Sequence, residues 1–136
     1  MLRPETKARA RALQILYSME IGTGTLDDAV TRLARLTGPD PTVYDGAEVL
    51  AEAVLREREE LDRHATEAAD NWRLERIAPV ERNILRIGVH ELLRGDVPPK
   101  VAIDEAVQLA HWFGGAKAPA FVNGVLDRVA HSIGRL

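Results

Sequence analysis

The residues of this sequence best suited to chemistry stand near its front, where cations recur at helical spacing. Arg3, Lys7, Arg11, Gln14 and Ser18 follow one another every three or four positions, which at about 100° per residue stacks them into a stripe roughly 80° wide. Tyr17 lies at the border of that stripe, where its ring can pack inward as core or offer a stacking face outward. Cations for phosphates and a π-face for bases are what a single-stranded nucleic-acid site requires. Arg9 falls outside the stripe, four residues after Glu5, the favourable order for a helical ion pair.

No catalytic pattern accompanies these residues. The sequence has no phosphate-cradling P-loop, no dinucleotide glycine fingerprint and no His-Glu-x-x-His. Its four histidines, His64, His90, His111 and His131, fall in different predicted helices without a repeated Glu-x-x-His, against a di-iron bundle. Ser18 and Ser132 lack a nucleophile-elbow setting. With no cysteine there is no disulfide framework, thiolate nucleophile or cysteine metal site. The expectation is a binding protein, not an enzyme, without cofactor or metal.

A length of 136 residues predicts one domain able to bury a sizeable core. A formal net charge of −3 argues against a generally basic nucleic-acid binder, but it hides an asymmetry. Residues 1–19 carry Arg3, Lys7, Arg9 and Arg11 against Glu5 alone, whereas residues 45–70 carry nine acids against Arg56, Arg58 and Arg63. No apolar run is long enough to span a bilayer or to form a secretory core. An arginine-bearing amphipathic N-terminus can resemble a transit peptide, but its apolar face here is a well-formed packing stripe. A cytoplasmic protein is expected.

The elements that must position the stripe are helices throughout, since no β-type alternation or hairpin signal occurs. Pro4 opens the first helix, which Gly22 or Gly24 ends. Thr25 and Asp28 form a capping-box pattern for a short second helix reaching Gly38-Pro39. A third starts at Asp40-Pro41-Thr42 and meets the charged run 56–60. A bend or break is expected near 57–62, then a further helix ending around Asn71 and a connector from Arg73 to Ala78. The organising helix is 78–95: Val80, Ile84, Leu85, Ile87, Val89, Leu92 and Leu93 cover roughly 240° of its wheel, wider than a surface helix needs. Arg82, Asn83, Arg86, His90 and Arg94 form its polar strip. Gly88 within it implies that another helix crosses close by. A helix from Pro99 to Phe113 buries Ala102, Ile103, Ala106, Val107, Leu109, Ala110 and Phe113 and turns Trp112 outward. The last, opened by Pro119, buries Val122, Val125, Leu126, Val129 and Ile133, with Phe121 pointing away from that stripe.

Four segments carry a resemblance: Lys7-Ala8-Arg9-Ala10-Arg11-Ala12-Leu13-Gln14-Ile15-Leu16-Tyr17, Val80-Glu81-Arg82-Asn83-Ile84-Leu85-Arg86-Ile87, Lys100-Val101-Ala102-Ile103-Asp104-Glu105-Ala106 and Phe121-Val122-Asn123-Gly124-Val125-Leu126-Asp127. In this order the sequence resembles the NusB family of bacterial transcription antitermination factors. The resemblance implies an all-α fold of two helical bundles, with halves 1–71 and 72–136 in a single domain. It also implies binding of single-stranded boxA RNA in nascent transcripts, cooperatively with the small-subunit ribosomal protein NusE, in a complex with other Nus factors that keeps RNA polymerase elongating through ribosomal RNA operons.

On this resemblance the RNA-binding residues are Lys7, Arg9, Arg11, Gln14, Tyr17, Lys117, Phe121 and Asn123. Phe121 is favoured for stacking and Asn123, about 160° from it on the wheel, for a hydrogen bond or a structural role. Lys117 and the amides that start the last helix are candidates for a phosphate. Glu81, Arg82, Arg86, Glu105 and Trp112 are the candidates for the protein partner. Glu5 and Thr6 stand where some members carry further basic residues, and Pro99 and Asp104 where the family often has an aromatic and an asparagine. Two other readings remain: an isolated RNA-targeting module like those fused to ribosomal RNA cytosine methyltransferases, and a helical protein-interaction adaptor whose basic stripe is merely solvated.

Overall fold

Proline and glycine punctuate the chain much as their chemistry demands, Pro at helix starts and Gly at helix ends. The computed structural model describes residues 2–69 and 76–136. Among these residues there are seven α-helices and no strand. They are α1 (Pro4–Ile21), α2 (Leu26–Thr37), α3 (Pro41–Arg56), α4 (Arg58–Ala68), α5 (Pro79–Arg94), α6 (Pro99–Phe113) and α7 (Ala118–Ser132).

Local chemistry accounts for several boundaries. At the start of α2 the Thr25 hydroxyl accepts from the Asp28 N–H at 3.2 Å, and the Thr25 N–H donates to the Asp28 carboxylate at 3.0 Å, a reciprocal capping box. The Thr25 backbone N–H, followed by the Thr25 hydroxyl, holds the exposed Asp28 carboxyl below its usual pKa. Asp40 starts α3 by accepting from both the N–H and the hydroxyl of Thr42. The expected break falls at Glu57, between α3 and α4. The expected helix end at Asn71 and the first half of the connector from Arg73 to Ala78 lie outside the described residues.

The chain divides into two compact units, Met1–Arg56 and Glu57–Leu136. The division falls at 56/57, not at the expected 71/72, because α4 belongs with the second unit. Its Asp62 grips Arg86 of α5 through two parallel bonds of 2.7 and 2.9 Å, and its Glu57 meets Nδ1 of His90 at 2.9 Å. Such forked, charge-assisted bonds are stronger and more directional than neutral ones. A charged helix and the polar strip of an otherwise apolar helix thereby satisfy each other.

In the first unit α1 packs along α3, with α2 against both. Ala12, Leu13, Ile15 and Leu16 of α1 and Val43, Ala47, Ala51 and Val54 of α3 are buried. Tyr44 is buried as well, its hydroxyl bonded to that of Thr37, which in turn donates to the Leu33 carbonyl.

In the second unit α5 is the shared core element, contacted by α4, α6 and α7. Ile84, Leu85, Ile87, Val89 and Leu92 are almost completely buried. The close crossing implied by Gly88 is made by α7: a Cβ at Gly88 would sit 2.5 Å from Cδ1 of Leu126. Gly95 ends the helix in the left-handed conformation, φ 76°. Arg135 finishes this corner by donating to the Leu92 carbonyl at 2.6 Å and the Val97 carbonyl at 3.1 Å. The chain's penultimate residue thus satisfies a carbonyl that the end of α5 leaves without a helical partner.

The middle of the polar strip of α5 is therefore not solvated, although Arg94 at its end is exposed and Arg82 at its start half-buried. Asn83 and His90 are buried, and Arg86 lies mostly under α4. Phe113, expected inside, is instead 37% exposed at the last residue of α6, whereas Leu109 and Ala110 one turn earlier are buried.

Candidate functional site

The sorted charge on α1 exists as read, with one correction. Lys7 is exposed and Arg11 half-buried, its Nη1 held by Oε1 of Gln14 at 2.7 Å. That bond aligns the guanidinium along the helix edge and lowers the entropy lost when it meets an anion. Tyr17 is 37% exposed, so its ring packs with one part and presents the other. Ser18 accepts a long bond of 3.5 Å from Arg32 of α2, which brings to the edge a cation from another helix. Arg9, in contrast, is only 7% exposed. Its position opposite the stripe turns it into the protein, which removes its side chain from any surface that RNA reaches.

In the second unit, Lys117 stands exposed at the start of α7 and Phe121 lies one turn on, half-buried. Phe121, Ile77, Ala78 and Ala118 wall an open cavity of about 340 Å³. Glu81, Arg76 and Lys117 complete the lining. The Glu81 side chain is tied into this place by the N–H of Gly115, which donates to Oε1 at 3.1 Å. Glu81 was a candidate for the protein partner, yet it shares a cavity with the RNA candidates Lys117 and Phe121. Nothing in their spacing shows this, because the cavity is assembled from two stretches of the chain, 76–81 and 117–121.

The amides of α7 offer less to a phosphate than expected. Ala118 N–H already donates to the Gly115 carbonyl and Phe121 N–H to that of Lys117, while Pro119 has none. Asn123 is exposed but is not among the residues lining the cavity, in keeping with its angular distance from Phe121.

The remaining partner candidates separate into committed and presented side chains. Arg86 is taken by Asp62 and Asn83, and Arg82 donates to the Ile77 carbonyl at 3.0 Å. Both act as struts within the unit, and Arg86, its side chain 11% exposed, keeps little surface for a partner, whereas Arg82 is half-buried. Glu105 is half-buried on α6. Trp112 is 41% exposed and meets Phe113 edge to face, ring centroids 6.5 Å apart, so the end of α6 presents two aromatic rings together. Arg32, Arg76 and Phe113 are the residues that sequence reasoning missed at these surfaces.

Cations, ring faces and an apolar hollow are the means of recognition, and an all-helical chain bearing them is of the binding class. The NusB family model matches residues 6–131, and the chain belongs to that family of transcription antitermination factors, which are not enzymes. A transcription antitermination protein NusB of Anaeromyxobacter dehalogenans (strain 2CP-1 / ATCC BAA-258) is 44% identical over 134 residues, covering 98% of this chain and 94% of that protein. The NusB of Myxococcus xanthus (strain DK1622) is 42% identical over 132 residues, covering 93% and 94%. Among solved structures, a complex of antitermination factors NusB and NusE with double-stranded RNA contains a chain of 27% identity and TM-score 0.85, with 97% of this chain and 99% of that one covered.

Proposed function

We propose that this antitermination factor binds single-stranded boxA RNA of nascent transcripts along the exposed edge of α1, together with ribosomal protein NusE, and so supports processive transcription of ribosomal RNA operons in the cytoplasm. Other Nus factors and RNA polymerase join indirectly. The observation that carries the reading is the sorting of Lys7, Arg11 and Gln14 onto one helix edge beside a half-exposed Tyr17. The relation to a NusB that forms a solved complex with NusE and RNA supports the choice of partners.

Lys7 and Arg11 take backbone phosphates, and the Tyr17 ring stacks on a base. Lys117 and Phe121 provide a further RNA contact in the second unit. The Trp112–Phe113 pair is the surface offered to NusE, as exposed aromatics make good interface anchors. Two moderate surfaces acting together give a tight assembly where each alone is weak. Among the described residues no helix is long and apolar enough to cross a membrane.

The test is Arg11→Ala titrated with a labelled boxA RNA at several salt concentrations. Losing one phosphate contact weakens binding and flattens the slope of log K against log salt by about 0.7 for a single strand. An unchanged slope removes Arg11 from the phosphate contacts.

A further inference from the structure

The cationic edge of α1 is incomplete on its own. After Arg11 the helix carries no further cation, and Glu20, its one charge beyond that point, lies about 160° from Ser18 on the wheel. The accessible edge nevertheless continues past Arg11, through half-buried Gln14 and Ser18 to exposed Tyr17 and to Ile21, which is 64% exposed. A strand laid along that edge meets no cation of α1 for roughly 15 Å, the helical rise from Arg11 to Ile21.

The missing charge comes from α2. Packed on α1 within the same unit, it brings the exposed Arg32 to Ser18, whose hydroxyl accepts from Nη2 at 3.5 Å. Neither ordinary use of an arginine accounts for this placement. The bond to Ser18 is at the outer limit of hydrogen-bond length. It is also the one hydrogen bond of Arg32 among the described residues, so four of five guanidinium donors are unspent. Asp28, one turn earlier and spaced for a helical ion pair, instead turns Oδ2 to the Thr25 N–H at 3.0 Å.

We propose that Arg32 takes a phosphate of the bound RNA, so that the strand runs from the edge of α1 onto the corner between α1 and α2. The inference rests on the RNA-binding reading above and adds a second helix to it. Tyr17 then has Arg11 before it and Arg32 beside it, a ring between cations as a stacked base lies between its phosphates. A guanidinium fork holds a phosphate through two parallel bonds, and the weak bond to Ser18 aims the fork without consuming it. A phosphate contact carries no sequence information, so Arg32 adds affinity and footprint and no base preference.

The experiment titrates labelled boxA RNA and a scrambled form with the full-length protein, its Arg32→Gln variant and its Arg35→Gln variant at several salt concentrations, with anisotropy as readout. Gln at position 32 keeps a donor for Ser18 and removes the charge, and far-ultraviolet circular dichroism checks the fold. Arg35 is the control for the general field of the helix: it is exposed on α2 and lies about 60° round the wheel from Arg32, away from the buried Ala29. Arg32→Gln is expected to lower the slope of log K against log salt by about 0.7, one phosphate of a single strand. It weakens binding about two- to fivefold, the range of an exposed ion pair, and by the same factor on both RNAs. Arg35→Gln leaves the slope unchanged, and Arg32→Lys, which returns one charge, restores it. An unchanged slope in Arg32→Gln, or an equal fall in Arg32→Gln and Arg35→Gln, overturns the contact and leaves RNA binding by α1 intact. Absence of binding to either RNA by the folded wild type overturns the RNA reading and this proposal with it.

Discussion

At the scale of single residues, the molecule spends its charges in two ways. Lys7 is left toward solvent and Arg11 on a half-buried edge, where cations are ready to meet an anion, whereas Arg86 is built into the seam between α4 and α5. Asp62→Asn leaves the Arg86 guanidinium, whose side chain is only 11% exposed, with a neutral partner. It is expected to cost about 2–3 kcal/mol in urea unfolding, the scale of losing charge-assisted bonds at a poorly solvated site. A loss under about 0.5 kcal/mol means that the pair is no strut. This seam also marks a limit of the sequence. Arg82, Asn83, Arg86 and His90 read as a polar strip, and periodicity does not distinguish a strip facing water from one facing a charged helix. Arg9 shows another limit: spacing set it outside the stripe, the family resemblance named it for RNA, and its burial at 7% exposure is visible only in the fold. Arg135 and Leu92 are 43 positions apart, and no local pattern links them.

At the scale of helices, much was legible because Pro, Gly and capping residues act locally. Pro4, Pro41, Pro79, Pro99 and Pro119 all stand in the first turn of a helix, and the Thr25–Asp28 box was readable from spacing alone. Gly88 gave long-range information, since a glycine inside a strongly apolar helix signals a close neighbour. Gly88→Ala brings a Cβ to 2.5 and 2.9 Å from the two methyls of Leu126, itself fully buried on α7. Overpacking costs about 1–3 kcal/mol, against which the better helix propensity of Ala returns about 1 kcal/mol. The variant is expected to be destabilised by about 1–2 kcal/mol in denaturant titration. Equal or greater stability means that α5 and α7 are not in close packing there. Helix ends were less legible. Phe113 fits the apolar stripe of α6 but is its last residue, and whether such a residue is covered is decided by the fold.

For the whole molecule, the net charge of −3 and the cationic edge of α1 are reconciled by sorting. A chain of this balance does not hold RNA by bulk attraction, so its affinity must come from a few placed cations and ring faces, each phosphate contact adding about 0.7 to the salt slope. The four motifs in order made family and fold legible from sequence. The cavity of the second unit was not, because Ile77, Glu81 and Phe121 meet only after α5 and α7 have packed. On the proposed function this chain binds boxA RNA jointly with NusE. Its most direct test is anisotropy of a labelled boxA RNA titrated with the protein, with and without NusE, at two salt concentrations, beside a scrambled RNA and the boxA strand annealed to its complement. Binding to the single strand is expected to be salt-sensitive, to tighten at least tenfold with NusE and to weaken on scrambling or annealing. Binding that ignores both NusE and sequence, or no binding by a folded protein, contradicts that function.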